Sequence, residues 1–79
     1  MNAREMFEKL NYKQGDSRGN WLRFVEEREF RRNVLSFDLQ YKAYSTHATD
    51  EFGDPVYMGI TPEMHSAITQ QLHELGWLK

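Results

Sequence analysis

The chain has 79 residues with 12 Asp and Glu against 10 Lys and Arg, a net charge of −2, and is 39% hydrophobic and 14% aromatic with no cysteine. That length describes one domain, residues 1–79, with a core small enough for a partner or second copy to add stability; the aromatic content argues against disorder, and the lack of cysteine excludes disulfides, thiolate catalysis and cysteine-based zinc sites. No apolar run approaches the ~20 residues that span a bilayer, and the start MNAREMFEKL carries acids where a signal peptide is apolar, so a cytoplasmic location without membrane contact is expected.

The N-terminal element is predicted to be a helix. Asn2 is a good N-cap, and Glu5, three residues on, completes a capping box. Met6, Phe7 and Leu10 form its apolar stripe, and Glu5 and Lys9 stand at i,i+4. It ends as Leu10-Asn11-Tyr12, with asparagine suited to a left-handed C′ position and the tyrosine free to fold back. A loop over residues 14–20 follows, rich in the turn formers Gly15, Asp16, Ser17 and Gly19.

The period then changes to two. Leu22 and Phe24 alternate with Trp21, Arg23 and Val25 in a first strand; Leu35, Phe37 and Leu39 alternate with Val34, Ser36 and Asp38 in a second. Tyr44, Thr46 and Ala48 alternate with Ala43, Ser45 and His47 in a third, reached through the short connection Gln40–Lys42. The stretch Glu26–Leu35 also holds good helix formers, with Glu27 and Arg31 at i,i+4, so a middle helix is the alternative there. A turn cluster over Asp50–Pro55 leads into Val56, Met58 and Ile60, where a fourth short strand is an option. The last helix is punctuated most fully: Thr61 as N-cap, Pro62 and Glu63 in the first turn, and Gly76 as a left-handed C′ followed by Trp77 and Leu78. Its stripe is Met64, Ile68, Leu72 and Leu75 flanked by Ala67, opposite Glu63, Ser66, Gln70 and His73. The expected fold is α+β: helix, three-stranded antiparallel sheet with an optional fourth strand, helix.

Three segments resemble a family of small uncharacterised bacteriophage and prophage proteins. They are Ala3-Arg4-Glu5-Met6-Phe7-Glu8-Lys9-Leu10, Leu35-Ser36-Phe37-Asp38-Leu39, and Ile60-Thr61 through Leu75-Gly76-Trp77-Leu78; Asn11 stands where such relatives carry glycine. The resemblance implies a phage-borne accessory protein and brings no activity, cofactor or catalytic residue with it.

Charge is uneven along the chain: residues 1–42 hold nine basic against seven acidic residues, residues 43–79 one against five. The interleaving of Arg23, Arg28, Arg31 and Arg32 with Glu26, Glu27 and Glu29 reads as a self-neutralising, solvated surface, so nucleic acid is not the expected partner. Ser45, Thr46, His47 and Asp50 crowd hydrolase-type side chains together. In a strand, however, Ser45 and His47 share a face that Thr46 does not, and triads are set by geometry. His65 and His73 lie ~12 Å apart along one helix and ~80° around it, too far to share an ion. Neither a phosphate loop nor a cofactor motif is present.

The functional expectation comes from parity. If both helices cover Leu22, Phe24, Leu35 and Phe37, the other face of the sheet carries Trp21, Val25 and Val34 with Arg23 and Arg32 at the rim. Apolar surface edged by arginine is the chemistry of binding sites. The reading is therefore a non-enzymatic protein-binding module that docks on a host or phage protein or associates with itself. Single-stranded nucleic acid binding, with Trp21 and a neighbouring tyrosine as stacking platforms, is the alternative, and a small hydrolase using His47 a distant third.

Overall fold

The computed structural model describes residues 1–15 and 19–78; Asp16, Ser17 and Arg18 of the expected loop, and Lys79, lie outside the described residues. It contains α1 (Ala3–Lys9), β1 (Lys13–Gln14), β2 (Trp21–Arg28), β3 (Arg31–Asp38), β4 (Ala43–Asp50) and α2 (Pro62–Glu74). This is the α+β fold in its four-stranded form: helix, antiparallel sheet in the order β1-β2-β3-β4, helix.

Local chemistry sets the helix ends. The Asn2 side chain accepts from the Glu5 N–H at 2.8 Å while the Glu5 carboxylate accepts from the Asn2 N–H at 3.2 Å, closing the capping box. Glu5 is thereby engaged at the cap, and the exposed i,i+4 ion pair is Arg4–Glu8 at 3.0 Å in place of the expected Glu5–Lys9. At the other end Asn11 has φ +69°, its N–H donates to Glu8 O and the Tyr12 N–H reaches Phe7 O, both at 3.0 Å. That is a Schellman motif built on asparagine. α2 repeats it on glycine: Gly76 has φ +77°, its N–H donates to His73 O at 3.0 Å, and the Trp77 N–H to Leu72 O at 2.9 Å. Thr61 Oγ1 accepts from the Met64 N–H at 3.1 Å. In both motifs the aromatic after the left-handed residue folds back onto the core: Tyr12 meets Phe7 edge-on with centroids 6.3 Å apart, and Trp77 lies 6.3 Å from Phe37.

The segment Glu26–Leu35 is a hairpin and not a helix. Arg28 pairs with Arg31 across a two-residue turn, and the register runs Glu26↔Asn33, Phe24↔Leu35, Leu22↔Phe37. Glu27 consequently faces Arg32 across the ladder, so the helical pairing of Glu27 with Arg31 never forms. The fourth strand also lies elsewhere than expected. It is β1, with Lys13 opposite Val25 and Gln14 opposite Phe24. Near Val56 the ladder is a single bridge between Thr49 and Pro55, and one bond from the Val56 N–H to Ala48 O at 2.9 Å.

Both helices pack on one face of the sheet. Phe24, Leu35 and Phe37 meet Phe7 of α1 and Met64, Ala67 and Ile68 of α2 in one buried cluster, with Leu72, Leu75 and Trp77 packed against it. Phe7 stacks on Phe24 at 4.2 Å between centroids, and Phe24 meets Phe37 edge-on at 6.3 Å. The helices run side by side and antiparallel, and the Ala3 N–H donates to Glu74 Oε2 at 2.6 Å. Gln71 joins Met64, Ala67 and Ile68 on the buried side of α2. No helix among the described residues is long and apolar enough to cross a membrane.

Candidate functional site

The face of the sheet turned away from the helices carries all five residues that parity assigned to it. Trp21 and Arg23 alternate with the core positions of β2, and Val25 stands opposite Val34, with Arg32 two residues earlier on β3. Two features separate this face from an apolar patch. The Arg23 guanidinium sits 5.7 Å from the Trp21 ring centroid, a cation–π contact that covers part of the indole. Arg32 is paired with Glu27 at 3.6 Å. Val25 and Val34 are half-buried, and a small row of Arg23, Ser36 and Ser45 crosses between them and Trp21. The arginines are therefore engaged within the chain, and no tyrosine of the strands joins Trp21 there, since Tyr44 pairs with Phe37 on the helix side.

The hydrolase constellation comes apart in the same register. Ser45 and His47 are exposed on the open face, while Thr46, opposite Leu35, and Asp50, opposite Arg31, belong to the helix side. His65 and His73 are exposed on α2, and no group of three or more His, Asp or Glu among the described residues is arranged to hold a metal ion.

The edges of the sheet are unequal. β1 guards one with only two residues, whereas β4 leaves an eight-residue strand at the other. The outward groups of its second half are occupied: Ala48 O accepts from Val56, and the Asp50 N–H donates to Asp54 O at 2.9 Å. By alternation the other outward-pointing residues are Tyr44 and Thr46, whose backbone groups have no partner among the described residues. Ala43 to Thr49 contains no acidic residue, lysine, arginine, proline or glycine, none of the devices that usually blunt an edge.

A second feature escaped the sequence reading. Glu26, placed there among solvated charges, is buried on the helix face, because it follows Phe24 by two residues as Asn33 precedes Leu35. Its carboxylate accepts from Asn33 Nδ2 at 2.7 Å and from Arg28 Nη2 at 3.3 Å, and Arg28 Nε lies 3.1 Å from it in the same ion pair. Arg31 donates from Nε to Asn33 Oδ1 at 3.0 Å and from Nη2 to Tyr57 O at 2.6 Å. This network borders a cleft that also takes in Tyr12, whose phenol is pushed above its ordinary value of 10.0 by burial and by Glu26, against the opposing pull of Arg28 and Arg31. Period-two parity carried two residues past the apolar run would have found Glu26 and Asn33; the convergence of Arg28 and Arg31 needs the hairpin register. Comparison of the chain with protein-family models, with curated proteins and with solved structures finds no match.

Proposed function

We propose that the protein is a non-enzymatic protein-binding module, an accessory factor of the kind the phage and prophage resemblance implies, whose contact is strand addition at the outer edge of β4 with a second copy of the chain as occupant. The observation that carries this is the pair of unpartnered outward residues Tyr44 and Thr46 on a strand with no acid, lysine or arginine from Ala43 to Thr49. A two-fold axis at Ser45 sets Tyr44 opposite Thr46 of the second copy and Thr46 opposite its Tyr44. Both are hydrogen-bonded pairs, giving four new backbone bonds. Every side chain brought into opposition, including His47 with Ala43, is uncharged when the histidine is neutral, so self-pairing meets no like-charge repulsion. The sheet becomes eight-stranded, and the face bearing Trp21, Arg23, Val25, Arg32 and Val34 becomes continuous across the dimer. Four bonds at about 1 kcal/mol each, set against the cost of association, make a reversible dimer and not an obligate one.

The test is sedimentation equilibrium over a wide concentration range with Thr46→Pro. Because the Thr46 N–H points outward, proline there removes a donor needed by the second copy and none used by β3. The native chain should shift from monomer to dimer with concentration, while the variant stays monomeric with the circular dichroism of the native fold. Thr46→Lys, which keeps the N–H and adds a charge beside Tyr44, should also stay monomeric. A native chain that remains monomeric throughout, or association that Thr46→Pro leaves intact, overturns the proposal. So does association abolished by Trp21→Ala, which would move the contact to the open face.

A further inference from the structure

The cleft between the end of α1, the start of α2 and the β2–β3 hairpin holds about 250 Å³. One wall is apolar, from Leu10, Met58 and Met64; the other is polar, from Tyr12, Arg28 and Arg31. Packing alone accounts for the first wall. The bonding inventory of the second leaves a surplus.

Glu26 supplies one negative charge to two guanidinium groups. Its oxygens accept from Asn33 Nδ2 and, at 3.3 Å, from Arg28 Nη2, with Arg28 Nε in ion-pair contact at 3.1 Å. Arg31 spends Nε on Asn33 and Nη2 on the Tyr57 carbonyl. A guanidinium carries five N–H donors, and the contacts of these two arginines use Nε and Nη2 alone, leaving the Nη1 group of each without an acceptor among the described residues. Tyr12 adds a third free donor. Tyr12 is 4% exposed as a residue, and its hydroxyl forms no hydrogen bond among the described residues. Since no fully enclosed side-chain polar atom among the described residues is left unpaired, that hydroxyl reaches open space, and the influence of Glu26, Arg28 and Arg31 on it puts it at the cleft these residues line. A phenol is protonated, and so a donor, at neutral pH, and burial here only pushes it further above its ordinary value of 10.0.

We infer that this cleft binds a small monocarboxylate with an apolar body, its carboxylate held by Tyr12, Arg28 and Arg31 and its body lying on Leu10, Met58 and Met64. Charge selects the class: among the residues that line the cleft, two cations against one anion leave a single positive charge, which a monoanion neutralises and a phosphate dianion exceeds. Geometry agrees, because two planar oxygens suit guanidinium donors. The apolar wall offers a highly charged ligand nothing, and it gives an apolar acid a surface to bury.

The experiment is amide NMR titration of the full chain with benzoate, with benzamide as its neutral counterpart and acetate as its carboxylate without a body. Benzoate should shift the amides of Leu10, Tyr12, Asn33 and Gly59 saturably, at least tenfold more tightly than acetate, with benzamide producing no saturable change. Tyr12→Phe, which removes only the hydroxyl, should weaken benzoate about tenfold. Arg28→Gln, at a side chain largely in solvent, should weaken it again if Tyr12→Phe alters the fold. Trp21→Ala, on the opposite face, should leave it unchanged. Benzamide equal to benzoate, acetate equal to benzoate, shifts confined to other surfaces, or no loss in either a folded Tyr12→Phe or Arg28→Gln overturns the assignment.

Discussion

Replacing Glu26 with leucine measures what a buried carboxylate contributes when its partners differ in exposure. Arg28 keeps 65% of its side chain in solvent, so on losing Glu26 it turns to water at little cost. Asn33 is 6% exposed, and its Nδ2, donating to Glu26 over 2.7 Å, has no replacement acceptor at hand. An orphaned buried donor costs about 1–3 kcal/mol, part of which the leucine recovers against Met58 and Met64, so the net loss should be about 1–2 kcal/mol. Asn33→Leu strips one bond from the carboxylate and the Oδ1 acceptor from Arg31, and should cost about 1.5–3 kcal/mol. The double variant removes donor and acceptor together. It should therefore lose less than the two single losses added, by roughly 1 kcal/mol or more. Urea denaturation followed by circular dichroism gives all four free energies, and melting should follow at roughly 4–8 °C per kcal/mol for a domain of this size. Additivity within about 0.5 kcal/mol would refute the reasoning, because it would leave the short Asn33–Glu26 bond without a coupling energy.

Gly76→Val should destabilise more than Gly59→Ala in thermal melts. The first forces a β-branched residue to φ +77° at about 1–2 kcal/mol or more, whereas the second only presses a methyl against the exposed Tyr57 ring at 3.3 Å, and Asn11→Gly should be neutral or mildly stabilising; equal losses for Gly76→Val and Gly59→Ala would refute the Schellman assignment. Phe37→Ala, at a fully buried ring touching Phe24, Tyr44 and Trp77, should cost about 3–5 kcal/mol in chemical denaturation, against about 1 kcal/mol for Trp21→Ala, whose main loss is the contact with Arg23. Comparable losses would mean that the tryptophan is core. Because Tyr12 ionises above its ordinary value when folded, its contribution is complete below pH 10.0 and is lost as pH rises from there through the raised value; Tyr12→Phe should remove this part of the alkaline fall in stability, measured as urea midpoints across that range.

The helices were legible because their boundaries are local. Asn2 with Glu5, Thr61, Asn11 and Gly76 each act within four residues of themselves, and all four ends form as the residues dictate. β3 and β4 were legible through alternation, and so was the shared face of Trp21, Arg23, Val25, Arg32 and Val34. The pattern failed where its signal is apolar by definition. β2 continues to Arg28 with charged residues on its core side, and β1 is two polar residues laid against β2 by the turn at Asn11. Val56, Met58 and Ile60 looked like a strand, yet only Val56 pairs, since the Tyr57 carbonyl is engaged by Arg31 as the chain runs on to α2. The acid that Arg32 meets depends on cross-strand register, so neither the Arg32–Glu27 pair nor the Tyr12 cleft could be read in one dimension.

The order of elements has a consequence for how the protein is made. Strands β1 to β4 are neighbours in both sequence and space, so the sheet can assemble hairpin by hairpin as it leaves the ribosome, with little loop entropy to overcome. Its oily side stays open, however, until the last element arrives. Phe24, Leu35 and Phe37 have only the seven residues of α1 to cover them until α2, beginning at Pro62, has been synthesised and has left the exit tunnel. Until then the nascent chain carries the uncovered aromatic positions and the β4 edge together, the two features that make incomplete folds prone to aggregate. A circular permutant that places α2 ahead of α1, next to which it packs, would close that window without altering the final structure.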